Sequence, residues 1–386
     1  MKMPTVKLGE ICEINPRTDY DFDPDDPCSF VPMEAVDDVD ARIAKITTRP
    51  FREVAKGYTP FAENDVIVAK ITPCMENGKC AIGQRLLSGV AFGSTEFHVL
   101  RATKRVVPEW LFYFWRFSPT RRLAAVNMTG SAGQRRVPAS FLETADIPLP
   151  EVSEQQRIVR RLEQADRLRR TRRYALDLAD TFLPAAFRQI FGSRLQTGPF
   201  RAFGELVKIT GGGTPARERS EFYQGRIPWL TSKDMKGDYI WDTEEHITEA
   251  ATKQSATNLV PAGSILVVVK SKVLMHRLPV AIAKVPLCHG QDIKSIQCSG
   301  ALRPAFARFV LKFHERRLLN LARGANTEGL TLPMLEELPV PTVSQSEQEQ
   351  FAELVMQHEC LHAVQRESLR QVEHLFDSLL HRAFSS

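Results

Sequence analysis

Residues 148–159 read P-L-P-E-V-S-E-Q-Q-R-I-V, and residues 339–351 read P-V-P-T-V-S-Q-S-E-Q-E-Q-F. In both stretches two prolines hold the chain extended, and a Ser-Glu-Gln element then opens a segment whose apolar residues recur at helical spacing. We therefore predict that an extended segment passes into a long helix at two places, about half a chain apart.

Each predicted helix has a local signal at its start. Ser153 and Gln156 in the first copy, and Ser346 and Glu349 in the second, have the spacing of a capping box. In this motif the hydroxyl accepts a hydrogen bond from a free N–H group of the first turn, and the Gln or Glu side chain bonds back to the cap. The sequence predicts such a cap at both helix starts.

The two helices are copies of each other. When the chain is shifted by half of its 386 residues, residues 183–193 fall on residues 376–386. The predicted apolar seam comprises Ile158, Leu162, Ala165, Leu176, Ala179, Leu183, Ala186 and Ile190 in the first helix and Phe351, Val355, Leu369, Val372, Phe376, Leu379 and Ala383 in the second. Steps of three and four are typical of a coiled coil, so we expect residues 153–191 and 346–384 to pair. Opposite net charges, +4 for the first arm and −4 for the second, favour the pairing.

The segments before the helices are also related. V-K-L-G-E-I-C-E-I (6–14) is similar to R-A-F-G-E-L-V-K-I (201–209), and E-N-D-V-I-V-A-K-I (63–71) to A-G-S-I-L-V-V-V-K (262–270). These are short β-rich runs bounded by turn residues, so each half is predicted to be an α+β domain followed by a long helix. The predicted domains are residues 1–150, a helical arm over 151–195, residues 196–342, and a second arm over 343–386.

Composition limits the functional class. The net charge is +5, and no apolar run is long enough to span a bilayer. The seven cysteines form no C-x-x-C pair, so we expect reduced thiols and no metal site. The N-terminal residues lack the apolar core of a secretory signal, and we expect a cytoplasmic protein.

Three stretches resemble catalytic or cofactor motifs but lack residues that those motifs require. T-G-G-G-T-P (210–215) is rich in glycine, but Pro215 stands where a phosphate loop needs lysine. D-Y-D-F-D-P-D-D-P (19–27) lacks the glycine and distal glutamate of a calcium loop. The Asn-Pro start of I-N-P-R-T (14–18) lacks the second proline and the aromatic ring of an amino-methyltransferase motif. The sequence thus favours a binding protein over an enzyme.

Polar loops in both halves mix basic, amide and hydroxyl side chains. Arg and Lys suit phosphates and guanine, while Asn and Gln suit adenine. The candidate DNA-binding residues are Lys70, Thr72, Glu76, Asn77, Lys79, Thr95, Ser131, Gln134, Arg135, Arg136, Arg217, Arg219, Ser232, Lys233, Lys270, Lys272, His276, Arg277, Gln291, Lys294, Asn326 and Thr327. We expect Gln134 or Arg135 to contact base edges while a neighbouring basic residue binds phosphate.

The whole chain resembles the specificity subunits of type I restriction-modification enzymes. The resemblance rests on the two P-x-P…S-E-Q junctions with their helices, on T-G-G-G-T-P…I-P-W-L-T-S-K-D-M (210–235) and on H-G-Q-D-I-K (289–294). In the first half, A-K-I-T-P-C-M-E-N-G-K (69–79) and F-G-S-T-E-F-H-V-L-R (92–101) are also similar to that family's target-recognition domains.

The resemblance implies two target-recognition domains separated by two long antiparallel coiled-coil helices. Each domain would read one half of a bipartite, asymmetric site in double-stranded DNA, and the helices would fix the unread gap. Two modification (methyltransferase) subunits and a restriction (translocase and nuclease) subunit would be the partners. This chain would be non-catalytic, with the methyl donor, ATP and magnesium bound only by those partners. Pro184 departs from a simple straight helix and is expected to kink the first arm.

Two other hypotheses remain open from the sequence. One is a scaffold or adaptor that uses both domains to bind protein. The other is a detached recognition part of a fused restriction-methyltransferase enzyme. Salt-dependent DNA binding separates DNA recognition from scaffolding, and methyl transfer by this chain alone would indicate the fused enzyme.

Overall fold

The computed structural model describes residues 3–131, 133–324 and 329–385, and the chain forms two compact units. The first unit contains the described residues of 1–175 and of 365–386, and the second contains those of 176–364. Each unit therefore combines one α+β region with a segment of both long helices.

The first unit contains twelve of the strands found in the described part of the chain. They are β1 (Thr5–Lys7), β2 (Cys12–Ile14), β3 (Pro27–Val31), β4 (Val36–Asp37), β5 (Arg42–Ile43), β6 (Thr47–Pro50), β7 (Thr59–Ala62), β8 (Val66–Ala69), β9 (Cys80–Ile82), β10 (Val90–Gly93), β11 (Phe97–Ala102) and β12 (Asp146–Pro148). Its shorter helices are α1 (Phe51–Val54), α2 (Pro108–Arg116), α3 (Ser118–Val126) and α4 (Ala139–Thr144). Two four-stranded sheets, ordered β6-β3-β10-β7 and β2-β11-β8-β9, form its centre, with the small pairs β1-β12 and β4-β5 beside them.

The first long helix, α5 (Val152–Phe191), passes from the first unit into the second. The strands of the second unit are β13 (Phe200–Ala202), β14 (Val207–Gly211), β15 (Ile227–Leu230), β16 (Tyr239–Ile240), β17 (Glu245–Ile247), β18 (Ile265–Val268), β19 (Val280–Ala283), β20 (Cys288–His289), β21 (Ile293–Cys298) and β22 (Pro339–Pro341). Its helices are α6 (Arg194–Thr197), α7 (Phe203–Leu206), α8 (Glu249–Lys253), α9 (Pro304–Phe313), α10 (Glu315–Gly324), α11 (Leu332–Glu336) and the first part of α12 (Gln345–Phe384). The sheets are ordered β14-β21-β18-β19-β16 and β17-β15-β20, with β13 paired to β22.

The two units repeat the same kind of central strand, β8 in the first and β18 in the second, and both strands are apolar. In β8, Val66 and Val68 face one core and Ile67 faces another. In β18, Ile265 and Leu266 divide in the same way between two cores. Because successive side chains of a strand point to opposite faces, a strand covered on both sides must be apolar throughout. The two α+β regions predicted from the sequence are confirmed.

The two long helices agree with the predicted ranges to within one residue and pack antiparallel in each unit. In the first unit Arg173 of α5 forms an ion pair of 2.7 Å with Glu373 of α12. In the second unit the His358 ring lies 2.9 Å from the carbonyl oxygen of Ala179. Pro184 is exposed inside α5, and the helix continues through it without interruption.

The seam differs from the prediction near the end of α5. Phe187 and Phe191 are buried, whereas Ile190, assigned to the seam, is 45% exposed. An α-helix has 3.6 residues per turn, so a straight helix drifts away from a 3.5-residue repeat and shifts its buried face by one position. The prediction of Ile190 was therefore wrong, while Leu162, Leu183 and Phe376, the counterpart of Leu183, are buried as expected.

Each unit encloses the end of a long helix among aromatic side chains. In the first unit the rings of Phe384 and Trp110 lie 4.6 Å apart. In the second unit the rings of Phe191 and Phe306 lie 5.0 Å apart. Aromatic side chains bury large apolar areas, so these contacts anchor both helix ends.

The capping box of α12 lies at other residues than predicted. Ser344 caps α12: its hydroxyl accepts a hydrogen bond from the N–H of Glu347 (3.3 Å), whose carboxylate accepts one from the N–H of Ser344 (3.1 Å). Ser346 lies inside α12 and Ser153 inside α5. The segment T-V-S-Q-S-E-Q-E offers two boxes two residues apart, and the earlier one forms.

No helix in the described ranges combines the length and apolar character needed to cross a membrane.

Candidate nucleic-acid interface

Three polar loops of the first unit meet where β8 ends. The N–H of Lys70 donates to the carbonyl of Glu96 (2.9 Å), and the carbonyl of Lys70 accepts from the N–H of Val137 (2.9 Å). The N–H of Thr72 donates to the carbonyl of Arg135 (3.0 Å). The structure thus brings together the loops 70–79, 93–97 and 130–136 that were chosen separately from the sequence.

Charged side chains connect these loops. Arg136 donates hydrogen bonds through Nε (2.9 Å) and Nη2 (2.8 Å) to the two carboxylate oxygens of Glu96. These hydrogen bonds hold the pKa of Glu96 below its ordinary value. Arg135 makes a looser contact of 3.4 Å with Glu76. Arg136 therefore holds two loops together, whereas Arg135 is freer to bind an external anion.

Two side chains that support the loops were missed in the sequence: His98, which is buried, and Asn15, which is exposed. The Nε2–H of His98 donates to the carbonyl of Val137 (2.8 Å), and its Nδ1 lies 3.1 Å from the amide nitrogen of Asn15. The amide oxygen of Asn15 accepts from the N–H of Val99 (3.1 Å). Burial lowers the pKa of His98, so the neutral ring supports the loop that carries Arg135. The stretch I-N-P-R-T was compared only with a catalytic motif, so the role of Asn15, which adopts a positive φ in the structure, was not predicted.

The second unit repeats the same arrangement. The N–H of Val269 donates to the carbonyl of Asp292 (2.9 Å), and the carbonyl of Val269 accepts from the N–H of Leu330 (2.7 Å). We call these two sets the backbone frames: Lys70, Glu96 and Val137 in the first unit, and Val269, Asp292 and Leu330 in the second. The backbone bonds agree, while the side chains that the frames carry differ.

Some of the other polar loops of the second unit are connected to its backbone frame by contacts, and others are not. The N–H of Gly290 donates to the carbonyl of Leu230 (2.9 Å), which connects the loop 289–294 to the loop 229–234. Arg217 lies over the ring of Trp229 (4.8 Å) and pairs with Glu245 (2.5 Å). Arg219 instead pairs with Glu221 (2.7 Å) and is not tied to the frame by any contact in the described ranges.

The candidate residues differ in exposure. Those exposed are Glu76, Asn77, Thr95, Ser131, Gln134, Arg217, Arg219, Lys233, Lys270, Lys272, His276, Arg277 and Gln291. Those half-buried are Lys70, Thr72, Lys79, Arg135, Arg136, Ser232 and Lys294. Lys79 donates to the carbonyl of Met33 (3.1 Å), and Arg277 to that of Met235 (3.2 Å). Asn326 and Thr327 lie outside the described residues.

The glycines of T-G-G-G-T-P have a packing role. The N–H of Gly213 donates to the carbonyl of His289 (3.0 Å), and a Cβ at Gly212 would overlap that same carbonyl. The segment passes so close to the loop 289–294 that only glycine fits. Across residues 3–131, 133–324 and 329–385, no three His, Cys, Asp or Glu side chains converge as metal ligands.

The fold and the backbone frames define a class of protein with two related α+β regions, each followed by a long helix of an antiparallel pair. Residues 2–176 and 199–374 both match the type I restriction modification DNA specificity domain. Together these matches cover most of the chain, which belongs to this family and contains the domain twice.

Several curated proteins are similar over part of the chain. The type I restriction enzyme EcoAI specificity subunit of Escherichia coli is 39% identical over 158 residues, which are 41% of this chain and 27% of that protein. The MjaIX specificity subunit of Methanocaldococcus jannaschii is 30% identical over 156 residues, 38% of this chain and 34% of that protein. The matched segments thus span about a third or less of these relatives.

Solved structures share the fold over the whole chain. A chain from a structure on complex assembly and conformational transition of the type I R-M system has a TM-score of 0.63 at 22% identity, covering 99% of this chain and 98% of that one. The type I restriction-modification S subunit from M. genitalium has a TM-score of 0.56 at 14% identity, covering 100% and 96%.

Proposed function

We propose that this chain is the sequence-specific DNA-recognition subunit of a type I restriction-modification complex. In this function each α+β region reads one half of a bipartite, asymmetric site in double-stranded DNA. The observation that carries the proposal is the pair of backbone frames, which repeat the same hydrogen bonds but present different polar side chains. A shared frame with different side chains is suited to reading two different half-sites.

The side chains around the frames suit DNA chemistry. Arg135 in the first unit and Lys270 and Lys272 in the second are cationic groups on polar loops. Such groups bind phosphates and position a protein on the duplex, while amide and hydroxyl groups contact base edges. Residues 196–342 carry a net charge of +5, which favours association with a polyanion.

The catalytic steps are assigned to partners. Two modification subunits would transfer methyl groups to adenine, and a restriction subunit would translocate and cleave DNA, with the methyl donor, ATP and magnesium bound by those subunits. Exposed apolar side chains on the long helices support protein docking. In the second unit Met356 (59% exposed) and Val364 (68% exposed) share one face of α12 with the exposed Cys360.

A salt titration tests the proposal. The complex with its modification subunits should bind a duplex containing the recognised site more tightly than a random duplex, and both affinities should fall steeply with salt. Equal affinity for the two duplexes, or binding insensitive to salt, would instead indicate a protein scaffold. Methyl transfer by the purified chain alone would contradict the non-catalytic assignment.

A further inference from the structure

Two tight turns occupy equivalent places in the two units. In the first unit the N–H of Ser94 donates to the carbonyl of Val31 (3.3 Å), and that of Phe97 donates to the carbonyl of Ser94 (3.1 Å). In the second unit the N–H of Gly290 donates to the carbonyl of Leu230, and that of Ile293 donates to the carbonyl of Gly290 (3.2 Å). The turns 94–97 and 290–293 therefore align residue by residue.

This alignment pairs Thr95 with Gln291 at the second position of each turn. Both side chains are exposed, and neither makes a hydrogen bond with any residue that the structure describes. The next residue of each turn, Glu96 or Asp292, belongs to a backbone frame and is fixed through its carbonyl. Each turn thus presents an exposed polar side chain next to a residue whose backbone is fixed by hydrogen bonds, and such rigid support is what precise recognition requires.

Cationic residues adjoin both turns, although they occupy different positions in the two units. Lys70 belongs to the frame beside Thr95. The carbonyl of Arg135 accepts a hydrogen bond from the N–H of Thr72, which lies in the same loop 70–79 as Lys70. Lys270 donates its N–H to the carbonyl of Asp292 (3.3 Å) beside Gln291. Cationic residues that can bind phosphate therefore adjoin a polar side chain that can reach a base edge.

We infer that Thr95 and Gln291 are equivalent base-reading residues, one for each half-site, and that Gln291 reads adenine in the major groove. The inference rests on the proposed function and assigns specificity within it. The amide group of glutamine can donate a hydrogen bond to N7 of adenine and accept one from the N6 amino group. Its donor and acceptor therefore match the major-groove edge of this base. A threonine offers a hydroxyl to a base edge or a methyl group to thymine, so the two halves would read different bases.

The test uses the full complex and duplexes carrying every base substitution in each half-site. Gln291→Ala should reduce discrimination at one A·T pair by roughly 5- to 150-fold and leave the other half-site unchanged. Thr95→Ala should relax one position of the opposite half-site, and Gln291→Asn should retain part of the adenine preference. The matched controls are Gln224→Ala and Thr48→Ala, which alter exposed side chains away from the turns.

The wild-type complex is measured first on site-containing and random duplexes. Equal affinity there would overturn the proposed function itself. If the wild-type complex discriminates but Gln291→Ala and Thr95→Ala keep every base preference, the proposed function stands and this inference is wrong.

Discussion

Gln155 and Gln348 make the same three hydrogen bonds in the two units. The side-chain oxygen of Gln155 accepts from the N–H of Val107 (3.0 Å), and its amide group donates to the carbonyls of Arg105 (2.9 Å) and Pro150 (2.8 Å). Gln348 likewise accepts from the N–H of Arg303 (2.9 Å) and donates to the carbonyls of Ala301 and Val343.

These glutamines explain the Ser-Glu-Gln element at both junctions. Both are buried, at 0% and 2% exposure, and each joins the start of a long helix to the loop that precedes an aromatic helix of the same unit. Buried backbone groups need hydrogen-bond partners, and a glutamine can supply an acceptor and two donors at once.

We predict that Gln155→Leu lowers the free energy of unfolding by roughly 1–3 kcal/mol, because it leaves one N–H and two carbonyl groups without partners. Urea denaturation measures the effect, and Gln156→Leu, at the exposed neighbouring position, is the control. Equal stability of the two variants would show that the buried glutamine does not hold the junction.

The first backbone frame should weaken at acid pH through His98. Burial keeps the pKa of His98 below its ordinary value of 6.5. Its contribution to stability is therefore present above that value and is lost as pH falls through the lower folded pKa. Lys70 and Glu96 face the ring and act in opposite directions on its pKa. His98→Gln should reduce the pH dependence of unfolding below 6.5, and an unchanged profile would contradict the role assigned to the neutral ring.

Arg135 and Arg136 should behave differently. Arg135→Ala should weaken binding to all DNA sequences and reduce the salt slope by about one, as expected for loss of one phosphate contact. Arg136→Ala should disturb the loop held by Glu96, so Glu96→Ala should have a similar effect and the double variant should not be additive. The check is the DNA affinity of the wild-type protein, of Arg136→Ala, of Glu96→Ala and of the double variant. Additive effects of Arg136→Ala and Glu96→Ala would contradict the structural role.

The exposed apolar face of α12 gives a prediction about partners. Val364→Lys should reduce assembly with the modification subunits because it places a charge in a face expected to be buried on docking. Glu353→Lys, also exposed on α12, changes charge without removing an apolar group and is the control. Sedimentation of the mixed subunits measures assembly, and normal assembly of Val364→Lys would exclude this face as the docking site.

The helices could be predicted from the sequence because their signal is periodic and local. The predicted range 153–191 and the observed helix Val152–Phe191 differ by one residue. The cap was misplaced because Ser344 and Ser346 are each followed three residues later by an acid, and local spacing does not choose between them. Ile190 was misassigned because the strict 3.5-residue repeat ignores helical drift.

The candidate interface could be predicted only in part. The polar loops were found by composition, and the first-unit loops do meet, but the bonds that join Lys70, Glu96 and Val137 connect distant parts of the chain. Which of these distant residues lie opposite each other depends on the folded sheets, and no short segment of the sequence determines it. The supporting roles of His98 and Asn15 have the same origin.

The central claim is that the two α+β regions read different half-sites of one DNA sequence. Mapping methylated adenines in DNA from cells that carry this chain with its modification subunit tests it most directly, with the same map repeated after residues 1–150 are exchanged for those of a relative. The account predicts a bipartite asymmetric site with an unread gap, in which the exchange alters one half-site alone. A contiguous site, a change of both half-sites together, or methylation without sequence preference would contradict it.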